Sequence, residues 1–280
     1  METIDIVSII TISIQILGLF FVGRQIKVAN KQNKLQSDII KRETALKMAK
    51  YFMQLISGEL EIISAIYRKT KVSDIYRTIE YNDLKFFDKY EMKRLLDYEV
   101  SDIRKLYDSD ITKNFTMLWD TYIEYNPNVL GTKKFREYSF FDQNRWDEKK
   151  IIENKEQFDI NLNDNLLIDD LNFAKMELVV FYTRTRRNLL NKLEYFSMHF
   201  TCELADEKIV YQSLHQVYLS TIKVFYGWIV RANDRDGKDK YYTNIIKLYN
   251  LWAQRDGELL SVHIENERNS ILEAEYDANY

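Results

Sequence analysis

The chain has 280 residues, a formal net charge of −3 and three histidines, a balance that argues against bulk nucleic-acid binding while leaving room for a local basic face. One proline and seven glycines are too few turn formers for a many-stranded sheet, so the expected fold class is all-α. A single cysteine, Cys202, excludes an intramolecular disulfide and any cysteine-rich zinc site, in keeping with a reducing compartment.

The first element is an uncharged run from Ile6 to Gly23, bounded by Asp5 and Arg24. As a helix at about 1.5 Å per residue it covers roughly 27 Å, close to the ~30 Å hydrocarbon thickness of a bilayer. A cleaved signal peptide opens with basic residues and ends in a small-residue site, whereas this run is preceded by Glu2 and Asp5. Residues 24–50 then carry eight basic side chains against Asp38 and Glu43, a net charge of +6. Excess positive charge stays inside, which predicts a single N-terminal transmembrane helix in a bacterial inner membrane, N-terminus outside, followed by a cytoplasmic helical bundle. Arg24, Lys27, Lys31 and Lys34 are the residues expected at the lipid surface, with membrane lipid as their partner.

Within the run, Ser8, Thr11, Gln15 and Gly18 fall at spacings of three and four and share one helical face. An amide near the bilayer midplane gains from a partner helix, so this stripe predicts a homo-oligomer through the transmembrane helix, as a packing seam or, with many copies, a polar pore lining.

From Arg24 to about Thr70 apolar residues recur at helical spacing, among them Leu46, Ala49, Phe52, Met53, Ile56, Leu60, Ile63, Ile66 and Tyr67, predicting one long helix. The stripe over Val28 to Ile40 is too thin for a core helix and reads as a stalk. Ser73, Asp83 and Asp110 are candidate caps for the helices that follow, and Asn126-Pro127 ends one of them. Periodicity fades from Asn126 to about Asp170, which predicts an irregular connection and a possible subdomain boundary. Asp159, Asn161, Asn163, Asn165 and Asp170 mimic alternate calcium-loop positions, but Asp164 stands where such a loop needs glycine. Three helices finish the chain, at about Asp170 to Cys202, Asp206 to Val230 and Tyr241 to Arg268, the last two an antiparallel hairpin about the turn at Asn233 to Gly237. The expected organisation is an anchor at 1–23, a basic stalk and long helix at 24–70, a helical region at 71–126, the connection at 127–169 and a C-terminal bundle at 170–280. The tail from Asp256 has seven acidic residues and one basic.

The C-terminal block carries a resemblance. The run LLNKLEYF from Leu189 to Phe196, then Ala205, Asp206 and Glu207 leading to Val210 and Tyr211, then Tyr242 and the run LYNLW from Leu248 to Trp252, is similar to an uncharacterised bacterial family of membrane-anchored helical proteins. The likeness covers about the last hundred residues. It implies one N-terminal anchor, a cytoplasmic helical domain and no established activity. Some relatives look like phage-defence proteins, and the layout is similar to the small membrane-pore accessory proteins of RNA-targeting CRISPR systems. A membrane effector or pore in antiviral defence is therefore the expected function, with a membrane-tethered interaction module without pore activity as the first alternative and a divergent helical ribonuclease as the second.

Inside that block Asn191 and Glu194 lie beside the apolar stripe of their helix, where a carboxylate must be paired. Tyr211 and His215 are the expected partners in a polar clasp or ligand site. An enzymatic reading needs more. A helical ribonuclease places an arginine and a histidine four to six residues apart, but eleven residues separate Arg187 from His199. No phosphate loop and no metal-ligand spacing occurs, so neither cofactor nor metal is expected, and the chain reads more as a binding or assembly protein than as an enzyme.

Overall fold

The structure is a computed structural model and describes residues 2–68, 72–102, 105, 114–158, 163–234, 240–258 and 261, with the side chains of 2–20 outside that description. All regular structure among the described residues is helical, as the scarcity of glycine and proline predicts.

Helix α1 (Glu2–Tyr51) is a single 50-residue rod. Residues 21–40 are exposed on every face, and the rod first enters the protein at Ala45 and Met48. A π-helical turn, Phe52–Ile56, follows, and α2 (Ser57–Arg68) continues the chain. Phe52, Ile56, Ile63 and Tyr67 are buried as the periodicity predicts, and Ile62 is buried beside them, but Leu46 and Met53 face outward. The side chain of Ile66 lies outside the described residues.

Helix α3 (Val72–Arg77) leads into a compact loop whose 3-10 turn is Tyr81–Asp83, and then α4 (Lys89–Leu96). Ser73 falls within α3, its side chain outside the described residues, and Asp110 lies outside them too. Asp83 accepts from the Glu80 amide within its own short turn, so it caps no following helix, and α4 is capped by Asp88, which accepts from the Glu91 amide at 2.9 Å. The loop is organised by Glu91. Its buried carboxylate accepts from the amides of Lys85 at 2.6 Å, Phe86 at 2.9 Å and Phe87 at 2.9 Å, and from the Tyr226 hydroxyl at 3.2 Å.

The stretch expected to be irregular is largely helical. Helix α5 (Phe115–Tyr125) ends at Asn126-Pro127 as predicted, and after a 3-10 turn at Pro127–Val129 come α6 (Lys133–Gln143) and α7 (Glu148–Asn154). Thr132 and Asp147 cap α6 and α7 with hydrogen bonds of 3.1 Å each, a local signal that the fading apolar period hid. Phe115, Trp119, Tyr138, Phe141 and Trp146 pack together at ring separations of 5.2 to 6.2 Å, which replaces the aliphatic stripe a longer helix would use. This aromatic unit belongs to the same core as the other described residues, one cluster running from Ala45 to Ala253.

Helix α8 (Asp164–Thr201) is the central strut. Its cap is Asn163, whose side chain accepts from the Leu166 amide at 2.9 Å, which accounts for one of the amides in the calcium-like run. Leu167, Leu171, Ala174, Leu178, Tyr182, Thr185, Leu189, Leu193, Phe196 and Phe200 follow each other at steps of three or four and are all buried. Helix α9 (Glu207–Asn233) begins at Asp206, and α10 covers residues 243–258. Trp252 and Arg255 bond to Glu207, while Ile245 accepts from Tyr218, so α9 and α10 run antiparallel as expected.

Candidate functional site

Glu194 is paired, but not with Tyr211 or His215. Glu194 on α8 reaches the start of α10, where one carboxylate oxygen accepts from the Asn244 amide at 3.1 Å and its side-chain nitrogen at 2.8 Å. The other accepts from the Ile245 amide at 3.0 Å. The first amides of a helix have no partner in their own helix, and here a carboxylate from another helix supplies it, on the favourable end of the α10 dipole. Thr201 donates to Asn244 at 2.7 Å, and buried Ser197 meets the Tyr218 hydroxyl at 2.7 Å, so three levels of α8 are tied to α9 and α10. Asn191 is exposed and takes no part.

Tyr211 and His215 belong to a separate latch. Their rings stack at 4.4 Å, the Arg255 guanidinium covers Tyr211 at 4.6 Å, and His215 Nε2 lies 3.5 Å from Asp256. Glu207 receives both Arg255 nitrogens, at 2.8 and 2.6 Å, and the Trp252 indole at 3.1 Å. The expected pairing fails because Ser197 stands opposite Tyr218, which puts Tyr211 and His215 nearer the α8–α9 turn than Glu194. Burial, followed by the Asp256 charge, pushes the Tyr211 phenol up, so it remains protonated at neutral pH. This latch joins the start of α9 to the end of α10.

Of the other residues singled out, Ser8, Thr11, Gln15 and Gly18 lie outside the described side chains. Arg24, Lys27, Lys31 and Lys34 are all exposed along the free part of α1. The ribonuclease pair does not converge: Arg187 and His199 share one straight helix and stand about 18 Å apart along its axis. His199 Nδ1 instead meets the Tyr195 carbonyl at 2.9 Å. Among the described residues no group of histidine, cysteine and carboxylate side chains could hold a metal ion.

A cationic pocket escaped the sequence reading. Between α8, α9 and the entry to α10, a depression of about 280 Å³ is lined by Thr183, Arg186, Arg187, Leu190, Trp228, Arg231, Ala232 and Tyr242. Arg186 lies 3.4 Å above the Trp228 ring and Arg231 lies 5.3 Å from it. Tyr242 turns into αL geometry, φ 60°, to begin α10. Burial pushes its phenol up, against Arg186 and Arg187, which pull it down. Forked, permanently charged donors beside hydroxyl groups suit a phosphate or carboxylate. Arg184, Arg186, Arg187 and Arg231 were visible in the sequence, but α8 and α9 had to be paired before two of them shared a ring.

A second polar group locks the aromatic unit to α8. Lys134 and the hydroxyls of Tyr122 and Tyr138 converge on Glu177, Tyr138 at 2.5 Å. Burial would raise the Glu177 carboxyl, but hydrogen bonds from Lys134 and Tyr138 outweigh it and hold the group below the ordinary carboxylate value.

No protein-family model matches the chain, and neither a curated protein nor a solved structure is significantly similar to it. Among the described residues no helix is long and apolar enough to cross a membrane, and residues 6–20 of the uncharged run have side chains outside them.

Proposed function

We propose that the chain is a single-pass protein of the bacterial inner membrane, N-terminus outside, which holds its helical domain in the cytoplasm and works as a homo-oligomer. The observation that supports this reading is the continuity of α1: one helix runs from the uncharged stretch through the basic collar and into the core at Ala45. A rod exposed on every face over residues 21–40 suits a stalk between lipid and domain. The resemblance in the C-terminal block supports a membrane effector in phage defence, with Ser8, Thr11, Gln15 and Gly18 as the contact face or lumen. Induced expression in bacteria tests it: the membrane potential should collapse, and Gln15→Leu should restore it at unchanged protein level. A reporter fused after Tyr280 should read as cytoplasmic, and a periplasmic signal would defeat the orientation.

The tethered module is the second reading, and the arginine pocket favours it. In that case the domain recognises an anionic group at Arg187 and its neighbours, and Arg187→Glu should abolish capture of the partner while toxicity on induction stays absent.

A further inference from the structure

The exposed face of α1 has a period of its own. Phe21, Val28 and Leu35 follow each other at seven residues, then Ile39 four residues on, then Leu46 seven further, and all five are 49 to 61% exposed. That is the d-d-d-a-a sequence of a coiled-coil seam, a stripe too narrow to serve a globular core. We propose that α1 pairs through this seam with α1 of a second copy, parallel and in register, to form a two-stranded coiled coil between membrane and domain. The parallel sense rests on the anchored reading, since two chains held by the same end in one membrane must point the same way.

Three observations select a second copy as the occupant. The domain packs α1 through Ala45, Met48 and Phe52, a flank roughly 110° around the helix from the seam centre, so the domain itself leaves the seam open. Five half-exposed side chains at about 100 Å² each give about 1,000 Å² in a pair, the threshold for a specific interface, before the lysine and glutamine stems alongside are counted. The polar positions mark the register as well: Arg42 at d reaches the partner's Glu43 at e and so offsets the like-charge contact that a parallel pair makes between Asp38 at g and that same Glu43. Gln25 and Gln32, at a positions, fix register by pairing with their own counterparts, and β-branched Ile39 at a with Leu35 at d favours two strands.

Site-specific crosslinking of the full chain tests this. In a Cys202→Ser background, Leu35→Cys and Ile39→Cys should each give an oxidised dimer in membranes and in mild detergent, at yields about tenfold above Ser37→Cys, which points away from the seam. Equal yields at all three positions, or none, would overturn the seam. Alkaline washing of the same membranes reads the anchor separately. Dimers formed by protein that washes free would defeat the anchor and keep the seam, whereas uncrosslinked protein that stays in the pellet would do the reverse.

Discussion

Two long helices, α1 and α8, hold their shape for opposite reasons. Helix α8 turns ten consecutive stripe residues into the core, so its stability comes from burial. Over residues 21–40 the free part of α1 buries no side chain, and Phe21, Val22, Ile26, Val28, Leu35, Ile39 and Ile40 all stay exposed. Helix length alone therefore says little about packing. The width of the apolar stripe says which helix builds a core and which waits for a partner.

Substitutions sharpen that contrast, beginning where burial is complete. Leu178→Ala on α8 empties a fully buried site and should cost about 2 to 5 kcal/mol in chemical denaturation. A loss below 1 kcal/mol would mean that α8 is not the strut described.

Glu194→Ala should cost about 1 to 3 kcal/mol, because it strands the amides of Asn244 and Ile245, and Glu194→Gln should cost less by keeping one acceptor. Hydrogen exchange at residues 244–246 should rise in the alanine variant before the centre of α8 is affected.

The Lys134–Glu177 contact predicts a pH dependence with two edges. Glu177 has a depressed folded value, so its contribution is present above the ordinary carboxylate pKa of 4.5 and is lost as pH falls through the folded value. Lys134 is raised despite burial, by the hydrogen bonds it donates to Glu177 and Tyr122, so its contribution is present below its ordinary 10.5 and is lost as pH rises through the folded value. Thermal melts of Glu177→Gln should lose the acid edge relative to the parent chain, and an unchanged acid edge would assign it elsewhere.

The smallest effect belongs to the stalk. Leu35→Ala should leave the unfolding free energy of the domain within about 0.5 kcal/mol, because the side chain touches no core. A larger loss at high protein concentration alone would report the paired helix instead.

How far the sequence foretold this arrangement varied with the range of the interaction. Helix α8 was legible from about Asp170 onward because its steps of three and four are local and regular. The α9–α10 hairpin was legible from one polar turn. The segment at 127–158 was not, since helices of 11 and 7 residues show only two or three periods, and its core of aromatic rings obeys contact geometry more than spacing. Glu194 was rightly singled out as a carboxylate that needs partners. Its actual partners lie 50 residues away, and nothing local distinguishes Asn244 from Tyr211. The arginine pocket failed for the same reason, as Arg186 acquires Trp228 only through the register of two helices.

The π turn at Phe52–Ile56 fixes the rotational phase between stalk and domain. It takes up one residue more than a regular turn, and each residue of an α-helix is worth about 100° about its axis. Deleting one residue there would leave the stalk helical but set its outer face, together with Ala45 and Met48, at that angle to α2, so the rod would have to repack on the domain through another flank. Any device that reads the domain's orientation through the rod would then be reset as a gear is by slipping one tooth. A single insertion or deletion thus separates what the stalk carries from the direction in which it is delivered.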